Sequence, residues 1–441
     1  MESSACIRRE LADHLSYERQ IERLQNRGRD LHQGKVSLGW INIKRSALAR
    51  ILAETIARGE YHLAPARRKT IVIKGKSRVV FNYGLTDRIV NGAVADAVNL
   101  AMAPELSTRL YSYRKGMSWW NAVADFARYL RLHCKQNPEP QKRHMYVLRW
   151  DIDAYTDSIP VGNDAPVWAM LRKLLPPEEA PALWNLLEQV VRPKIEVCGT
   201  TPIQLDRGVP TGQPISCVLF NLYLAELDRF LETVPGAFYA RYSDDLIFAH
   251  PSFEIARRIG AEIRPFLAHL GLRVSPSKSK ELYLTGAGRP SADWPEATGT
   301  SEVPFMGMAV QADGMVSLGR KKTRHMLREV NARVRRVMRS LPGASVDDAG
   351  RMACASVNQM FTIESISLVE ANSAALVRYA ITNRRQLAQL DHCIALIVLG
   401  AVIGDSSAKA FRTISYRKLR EEWGLISLEH ARNRVARKRS A

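Results

Sequence analysis

The spacing of apolar positions changes along the chain, and each change predicts a different structural element. From residue 1 to about 65, leucine and isoleucine recur at helical spacing, which predicts an N-terminal helical extension without evident chemistry. Residues 71–81 form two β-rich runs around a short Gly-containing turn, the pattern of a β-hairpin. Helical spacing returns over 87–102 and 119–134, and a polar, Pro-containing break at 136–143 predicts a boundary.

The middle of the chain alternates short apolar runs with longer helical patterns. The run 145–153 is a predicted strand that ends on aspartates, and 238–249 is a predicted strand, tight turn and second strand. Another single strand is predicted over 303–310. Helices are predicted between these strands, over residues 167–175, 178–191, 217–231 and 253–270.

From Arg320 onwards the pattern is helical, and one helix face is basic. Nine Lys or Arg residues fall within 320–339, opposed only by Glu329, while apolar residues repeat at helical spacing. One face is therefore expected to pack and the other to present positive charge. Such a helix could lie on a membrane, but its lack of aromatic residues favours a grip on nucleic acid. The tail at 432–439 is basic again.

Composition adds a second indication of a polyanionic partner. The 441 residues include 64 Lys or Arg against 44 Asp or Glu, a formal charge of +20, which favours nucleic acid over the alternative of a merely soluble basic protein. Six scattered cysteines without a C-x-x-C pair argue against zinc and disulfides and suit the cytoplasm. No signal peptide is evident, and the longest apolar run, residues 394–403, predicts a buried helix rather than a membrane span.

Three aspartates are the candidate catalytic residues. Asp244 and Asp245 lie in the predicted turn between two apolar strands, and Asp151 ends an earlier strand. An Asp-Asp pair in a turn is on its own more often a solvated turn. Adjacent strands could, however, bring Asp151 beside that pair, and three clustered carboxylates need a compensating cation. A pair of Mg²⁺ ions, which bind carboxylates and clamp both oxygens of a phosphoryl transfer, fits this requirement.

Other stretches carry candidate binding residues, each with an ordinary alternative. Lys74, Lys76 and Arg78 lie in or beside the hairpin turn, where they could reach a triphosphate or could simply be exposed. The loop 207–216 contains Gly and Pro and opens a helix, so its backbone could approach a ligand closely. The loop 111–118 interleaves tyrosine with Arg and Lys, a pattern for single-stranded nucleic acid, although packing explains its tyrosines equally well.

Six stretches, taken in order, resemble the motifs of a reverse transcriptase. The resemblance covers residues 69 to 310 by motif, and the remainder only by position. The matching segments are Lys74-Gly75-Lys76-Ser77-Arg78, Asp151 to Ile159, Gly208 to Gly212 with Ile215-Ser216 and Asn221 to Leu224, Tyr242-Ser243-Asp244-Asp245, Gly271-Leu272 with Lys278, and Phe305-Met306-Gly307.

The resemblance implies an α+β right-hand polymerase that makes DNA on RNA. It implies fingers over 66–143, a palm of antiparallel sheet plus helices over 144–312, and a helical thumb with a basic tail over 313–441, after the extension of 1–65. It also implies Mg²⁺ as cofactor, replaceable by Mn²⁺, with dNTPs, an RNA template and a DNA product as partners and no membrane. The implied metal ligands are Asp151, Ile152, Asp244 and Asp245; the implied nucleotide contacts are Lys74, Arg78, Tyr155, Gly212 and Lys278; and the implied nucleic-acid contacts are Arg114, Arg328, Arg335 and Arg336.

Departures from the family pattern bear on the subfamily and on sugar selection. Tyr155 is expected under the incoming sugar, but Thr156 stands where a second aromatic is usual, and Thr211 replaces the usual Gln. A compact chain without nuclease, RNase H or integrase modules resembles bacterial defence-associated and abortive-infection enzymes, related to retron and group II intron reverse transcriptases. These are expected to act with a structured non-coding RNA. The alternatives are an untemplated or protein-primed polymerase and a non-catalytic nucleic-acid-binding scaffold.

Overall fold

Helices and short strands alternate along the chain in this computed structural model, which describes residues 2–26, 32–33, 36–73, 76–196, 201–362 and 380–429. Lys74 and the basic tail at 432–439 lie outside these residues. The helices are α1 Glu2–Ala12, α2 His14–Asn26, α3 Leu38–Ile43, α4 Arg45–Ala57, α5 Leu85–Met102, α6 Trp119–Gln136, α7 Tyr155–Ser158, α8 Pro166–Leu174, α9 Pro181–Val191, α10 Pro214–Tyr223, α11 Ala225–Glu232, α12 Phe253–His269, α13 Arg320–Arg339, α14 Val346–Thr362, α15 Arg384–Ile403 and α16 Ala410–Thr413.

The strands are short and are joined by turns and helices. They are β1 His32–Gln33, β2 Val36–Ser37, β3 Ala66–Ile73, β4 Lys76–Asn82, β5 Met145–Asp151, β6 Ile195–Glu196, β7 Phe238–Tyr242, β8 Asp245–His250, β9 Lys280–Leu284, β10 Thr298–Thr300, β11 Glu302–Phe305, β12 Met308–Gln311 and β13 Val316–Leu318. The mixed α+β fold class predicted from the sequence is confirmed.

The chain divides into two compact units. The first unit comprises Met1–Ser118, Leu148–His250 and Glu254–Lys280, and the second comprises Trp119–Val147, Pro251–Phe253 and Glu281–Ala441. In the first unit, α1, α2 and α4 pack with one another, and α1 and α2 also pack on α5. The predicted hairpin is β3–β4, antiparallel throughout, with β6 parallel to β3 on its other side.

The centre of the first unit is an apolar sheet that carries the aspartates. The hairpin β7–β8 is antiparallel, and the last residues of β5 lie beside β8. Apart from Asp245 at its start, every residue of β8 is buried, which is why the strand reads as a continuous apolar run rather than an alternating one. The predicted helix 217–231 is instead the pair α10 and α11, which meet at Leu224.

The second unit combines a small sheet with the C-terminal helices. Its antiparallel sheet runs in the order β11-β12-β13, so the strand predicted over 303–310 is a hairpin, with Met306 and Gly307 at positive φ in its turn. Helix α6 packs on β12. At Gly314 a Cβ atom would lie 2.3 Å from the Ala127 carbonyl oxygen, so only glycine allows this close approach.

Helix α15 packs against α13 and α14 in the same unit. Its buried positions include Ile394, Val398 and Leu399, which agrees with the prediction of a packed helix over 394–403. By length and composition alone, this helix is also apolar enough to cross a membrane, and 39% of its most apolar window is buried.

Candidate active site

The predicted catalytic turn joins β7 to β8 through two residues. Tyr242 pairs with Asp245, which leaves Ser243 and Asp244 as the turn. Ser243 has φ of 59° and Asp244 does not share this positive φ, the signature of a type II′ turn, which favours glycine at its first position. A serine in this conformation is strained and needs support from its surroundings.

Asp151 lies next to this turn, and backbone hydrogen bonds fix its position. The Ile152 amide donates to the Asp244 carbonyl oxygen at 3.1 Å. On the other side, the Asp151 carbonyl accepts from the Ser275 amide at 2.7 Å, and the Asp151 amide donates to Ser279 Oγ at 3.1 Å. The structure therefore brings Asp151 and Asp244 together, as the sequence predicted.

Two basic side chains face the carboxylates. Lys278 Nζ donates to Asp151 Oδ1 at 2.8 Å, and the Arg149 guanidinium donates to both oxygens of Asp245 at 3.2 Å. Burial raises the pKa of Asp244, and the neighbouring charges of Asp151 and Asp245 raise it further. Burial also raises the pKa of Asp245, while Arg149 acts in the opposite direction.

The carboxylates beside the turn fit a divalent cation that takes its remaining ligands from water and substrate. No group of three or more His, Cys, Asp or Glu side chains in the described segments is arranged to hold a metal on its own. Mg²⁺, however, is commonly bound through one or two carboxylates, water and substrate phosphates. Asp151 and Asp244 supply two such carboxylates, and their mutual repulsion favours a cation between them. Arg149 forms an ion pair with Asp245. The Ile152 side chain is buried, so the group that Ile152 could offer as a metal ligand is its carbonyl oxygen.

A buried ion pair near the turn was not among the predicted site residues. Arg241 and Asp228 are both 0% exposed and form an ion pair, with Nε to Oδ1 at 2.7 Å and Nη2 to Oδ2 at 2.5 Å. Burial lowers the pKa of Arg241, but Asp228 more than compensates, so the net shift is upward. The available signal was an arginine within the apolar run 238–249, where a charged side chain needs a buried partner.

Tyr155 does not lie where an incoming sugar could contact it. The side chain is 3% exposed, its ring packs 5.3 Å from that of Phe220, and its hydroxyl donates to the Phe220 carbonyl at 2.8 Å. The predicted contact is therefore wrong, because the residue faces the interior. The next residue, Thr156, is half-buried, and its carbonyl oxygen accepts from the Val209 amide in the loop 207–216, here called the glycine loop.

The glycine loop is fastened to strand β4. Thr211 Oγ1 donates to the Val79 carbonyl at 2.7 Å, and Gln213 Nε2 donates to the Phe81 carbonyl at 2.9 Å. Between them, Gly212 has φ of 90°, a conformation that requires glycine. Thr211, which stands where the family carries Gln, thus has a hydrogen bond that fastens the loop to β4. Arg78, on the same strand, is exposed, and its predicted contact with the triphosphate stays a prediction.

Arg114 contacts the backbone of the segment before it, and its predicted contact with nucleic acid stays a prediction. The guanidinium Nη1 donates to the carbonyls of Ser107 at 2.6 Å and Leu110 at 3.2 Å. Of the two tyrosines in this loop, Tyr111 is buried, whereas Tyr113 is 45% exposed with φ of 55°. Packing therefore explains Tyr111, and Tyr113 is the aromatic residue left at the surface.

The basic face of α13 is solvent-exposed in the second unit. Arg328, Arg335 and Arg336 are exposed, while Met326, Val330 and Val334 are buried on the opposite face. Lys322 is an exception, since its Nζ donates to the Met306 carbonyl at 2.7 Å and lies 4.1 Å from the Trp119 ring centroid. Burial lowers the pKa of Lys322 to about 8.

The sequence profile of the reverse transcriptase (RNA-dependent DNA polymerase) family matches residues 67–310, more than half of the chain. The chain belongs to the reverse transcriptase family. The matched segment contains Asp151, Asp244, Asp245 and Lys278. Members of this family are RNA-directed DNA polymerases of the right-hand type that use divalent metal ions, so the predicted enzyme class is that of the family. A search of curated proteins finds no match.

Solved structures similar to this reverse transcriptase include telomerases from Candida. The apo telomerase of Candida tropicalis truncated from its C-terminal domain is 14% identical, with a TM-score of 0.42, and the match covers 58% of this chain and 56% of that one. The telomerase of Candida albicans in complex with a fragment of telomeric RNA is 11% identical, with a TM-score of 0.44, and the match covers 87% and 67%. The reverse transcriptase thus spans little more than half of the first of these chains.

Proposed function

We propose that this reverse transcriptase extends a primer by RNA-directed DNA synthesis, with Asp151 and Asp244 holding two Mg²⁺ ions, or Mn²⁺ in their place. The observation that carries this proposal is the bond from the Ile152 amide to the Asp244 carbonyl, which keeps the two carboxylate-bearing segments adjacent. Both segments lie within the region that matches the family profile. Asp245, held by Arg149, supports the pair.

The reaction forms one bond and breaks another at the same phosphorus. The primer 3′-oxygen bonds to the α-phosphorus of the dNTP and gives up its proton to solvent, while the bond from the α-phosphorus to the oxygen bridging to the β-phosphate breaks and pyrophosphate leaves. Bound divalent ions supply stabilisation of the attacking and leaving oxygens. The protein's part is to orient the two aspartates and to exclude other geometries around them.

Basic and glycine residues around the aspartates are proposed to hold the triphosphate. Lys278, whose Nζ contacts Asp151, would place a positive charge beside the triphosphate. Arg78 of β4 would supply further positive charge, as would Lys74, which lies outside the described residues, and Gly212 would allow a close approach of the loop backbone. Thr156 is the residue we propose at the sugar, in place of Tyr155.

A structured RNA is the proposed stable partner. The formal charge of +20 exceeds what one triphosphate needs, and Arg328, Arg335 and Arg336 are exposed together on α13. RNA helices are recognised mainly through shape and backbone, which suits arginine without base readout. We further propose a role in bacterial anti-phage defence with a non-coding RNA as template, on the basis of the resemblance of this chain to defence-associated and abortive-infection reverse transcriptases.

One experiment tests the polymerase assignment. Purified protein is supplied with Mg²⁺ and each labelled dNTP in turn, with and without RNase treatment, and the product is sequenced. We expect RNase-sensitive incorporation whose product is complementary to a bound RNA. Incorporation that survives RNase and matches no RNA would instead indicate an untemplated or protein-primed polymerase, and no incorporation at all would favour a scaffold.

The defence role needs its own test. Bacteria that carry the gene with its flanking sequence would be challenged with phage, beside cells with the Asp244→Ala/Asp245→Ala protein. Fewer plaques only with the intact aspartates would support the proposal. Equal plaque counts across a broad phage panel would contradict it.

A further inference from the structure

Both backbone polar groups of Ser243, the strained residue of the catalytic turn, are held by buried side chains. The Ser243 amide donates to Ser112 Oγ at 3.0 Å, and the Ser243 carbonyl accepts from Arg241 Nη1 at 3.3 Å. A residue with a side chain rarely adopts φ of 59°, so the turn would relax to another backbone conformation without these contacts. Asp244 follows directly, so the geometry of Ser243 sets the direction of its carboxylate.

Arg241 is fixed before it reaches the turn. Asp228 accepts a bidentate pair of bonds from the guanidinium, and Tyr239 Oη donates to the same carboxylate at 2.7 Å. Bidentate arginine–carboxylate pairs fix orientation as well as charge. The remaining guanidinium contacts go to the carbonyls of Phe220 at 3.1 Å and Asn221 at 3.3 Å. These carbonyls belong to the last turn of α10, where helix carbonyls lack partners within the helix.

Ser112 is fixed to the same helix end. Asn221 Nδ2 donates to the Ser112 carbonyl at 3.0 Å, and Ser112 Oγ donates to Asn221 Oδ1 at 3.2 Å. Ser112, Asn221, Arg241 and Asp228 are each fully buried. The end of α10 therefore anchors both contacts to Ser243, one through Arg241 and the other through Ser112.

We propose that Arg241, oriented by Asp228, acts with Ser112 as a set of positioning residues that hold the catalytic turn in its metal-binding conformation. These residues are fully buried and would act through Ser243 on Asp244. The inference rests on the proposed function of this turn, that Asp244 binds a divalent cation. A purely structural ion pair would stabilise the first unit without any effect on cation affinity, and this difference is measurable.

The test measures Mn²⁺ binding to the full-length protein without substrate, by electron paramagnetic resonance. The variants are Arg241→Lys, which keeps the charge but loses the planar fork, Asp228→Asn and Ser112→Ala. We expect the Mn²⁺ dissociation constant to rise at least tenfold in the first two and several-fold in the third. Asp244→Asn serves as the positive control and should show the largest loss.

A more exposed ion pair elsewhere in the first unit provides the negative control. Arg23 of α2 and Asp96 of α5 lie 2.5 Å apart, far from the turn in sequence. Asp96→Asn should leave Mn²⁺ affinity unchanged, whatever its effect on thermal unfolding. Dependence of dNTP incorporation on Mg²⁺ concentration gives a second readout, since the positioning variants should recover part of their rate at high Mg²⁺.

Variants of a buried ion pair can fail to fold, so a milder change is included. Tyr239→Phe removes only the hydroxyl that donates to Asp228, and a two- to threefold rise in the Mn²⁺ dissociation constant is expected. Wild-type Mn²⁺ affinity in both Tyr239→Phe and Ser112→Ala, together with folded spectra, would overturn the proposal. A wild-type protein that binds Mn²⁺ through Asp244 but incorporates no dNTP would contradict the proposed function and leave the positioning role judged by the titration.

Discussion

The proposed catalytic turn of the first unit and the basic helix α13 of the second unit both concentrate charge, but their charged side chains have different surroundings. Around the turn, each basic group has a defined acceptor, as in the bonds from Lys278 to Asp151 and from Arg149 to Asp245. On α13, Arg335 and Arg336 project into solvent. Held charges fix geometry and serve one reaction, whereas solvated charges attract a polyanion without specifying one shape.

This contrast predicts how substitutions in the two regions differ. A change at the turn should act on the chemical step and leave nucleic-acid affinity nearly intact. A change on α13 should act on affinity, in a salt-dependent manner, and leave copying of short templates comparatively intact.

The largest effect is expected from Asp244→Ala/Asp245→Ala. Incorporation of dNTPs should fall by roughly a thousandfold or more, the scale that follows the loss of a catalytic unit. Both residues lie at a turn rather than in the apolar core, so circular dichroism and RNA binding should stay close to wild type. Primer extension at the wild-type rate would show that the cations are held elsewhere.

Charge reversal on α13 should give the next largest effect. In Arg328→Glu/Arg335→Glu/Arg336→Glu, RNA affinity should fall steeply, and the slope of log affinity against log salt should shrink by about 2–3, given roughly 0.9 per lost phosphate contact. Filter binding across a salt series measures this. Short homopolymer copying should decline less than synthesis on the bound RNA.

A control on the same helix strengthens this test. Arg333 donates to Ser356 Oγ at 3.1 Å and to Gln359 Oε1 at 2.8 Å, so it has partners within the protein. Arg333→Gln should change the salt slope much less than loss of an exposed arginine. An equal change for Arg333 and Arg335 would mean that exposure does not decide which arginines grip RNA.

Sugar selection gives a smaller effect and tests the correction at Tyr155. Thr156→Tyr should raise the preference for dNTP over rNTP roughly tenfold, within the range for a steric change in a pocket. Tyr155→Phe, which removes only the buried hydroxyl, should leave that ratio unchanged. Competition between a labelled dNTP and the matching rNTP measures both. A ratio that responds to Tyr155→Phe and not to Thr156→Tyr would restore the original assignment.

The sequence predicted the motifs of the site well but not how they are supported. Asp244 and Asp245 stood between two apolar runs, a pattern that predicted a turn carrying both; the structure has Asp244 in the turn and Asp245 as the first residue of β8. The direction in which Tyr155 points could not be predicted, because an aromatic beside a catalytic aspartate suits either a ligand or the core. Its packing against Phe220 depends on α10, more than sixty residues away.

Two further differences have their own physical causes. The partner of Arg241 is Asp228, on a separate helix, and no local pattern links the two. The segment predicted as one strand over 303–310 is a hairpin because Met306 and Gly307 adopt positive φ. A methionine gives no sequence signal for that conformation. Hydrophobic periodicity thus identified the elements, whereas buried polar contacts between distant elements needed the structure.

The smallest expected effect concerns stability and follows from the raised pKa of Asp244. Burial first, and then repulsion from Asp151 and Asp245, makes the folded protein hold this proton more tightly than the unfolded chain does. Between the ordinary aspartate pKa and the raised one, the folded state therefore binds more protons, and stability falls as pH rises through that window. At neutral pH this loss of stability is present in full, so Asp244→Asn should raise the melting temperature without metal.

The difference in melting temperature should vanish below the ordinary pKa. Added Mg²⁺ should stabilise the wild type but not the variant, since only the wild type gains a ligand in its folded state. Differential scanning fluorimetry over pH, with Glu60→Gln as an exposed control, measures this. A variant that melts below wild type at neutral pH would show that Asp244 stabilises the turn, which would weaken the contrast between geometry held for chemistry and charge left to solvent.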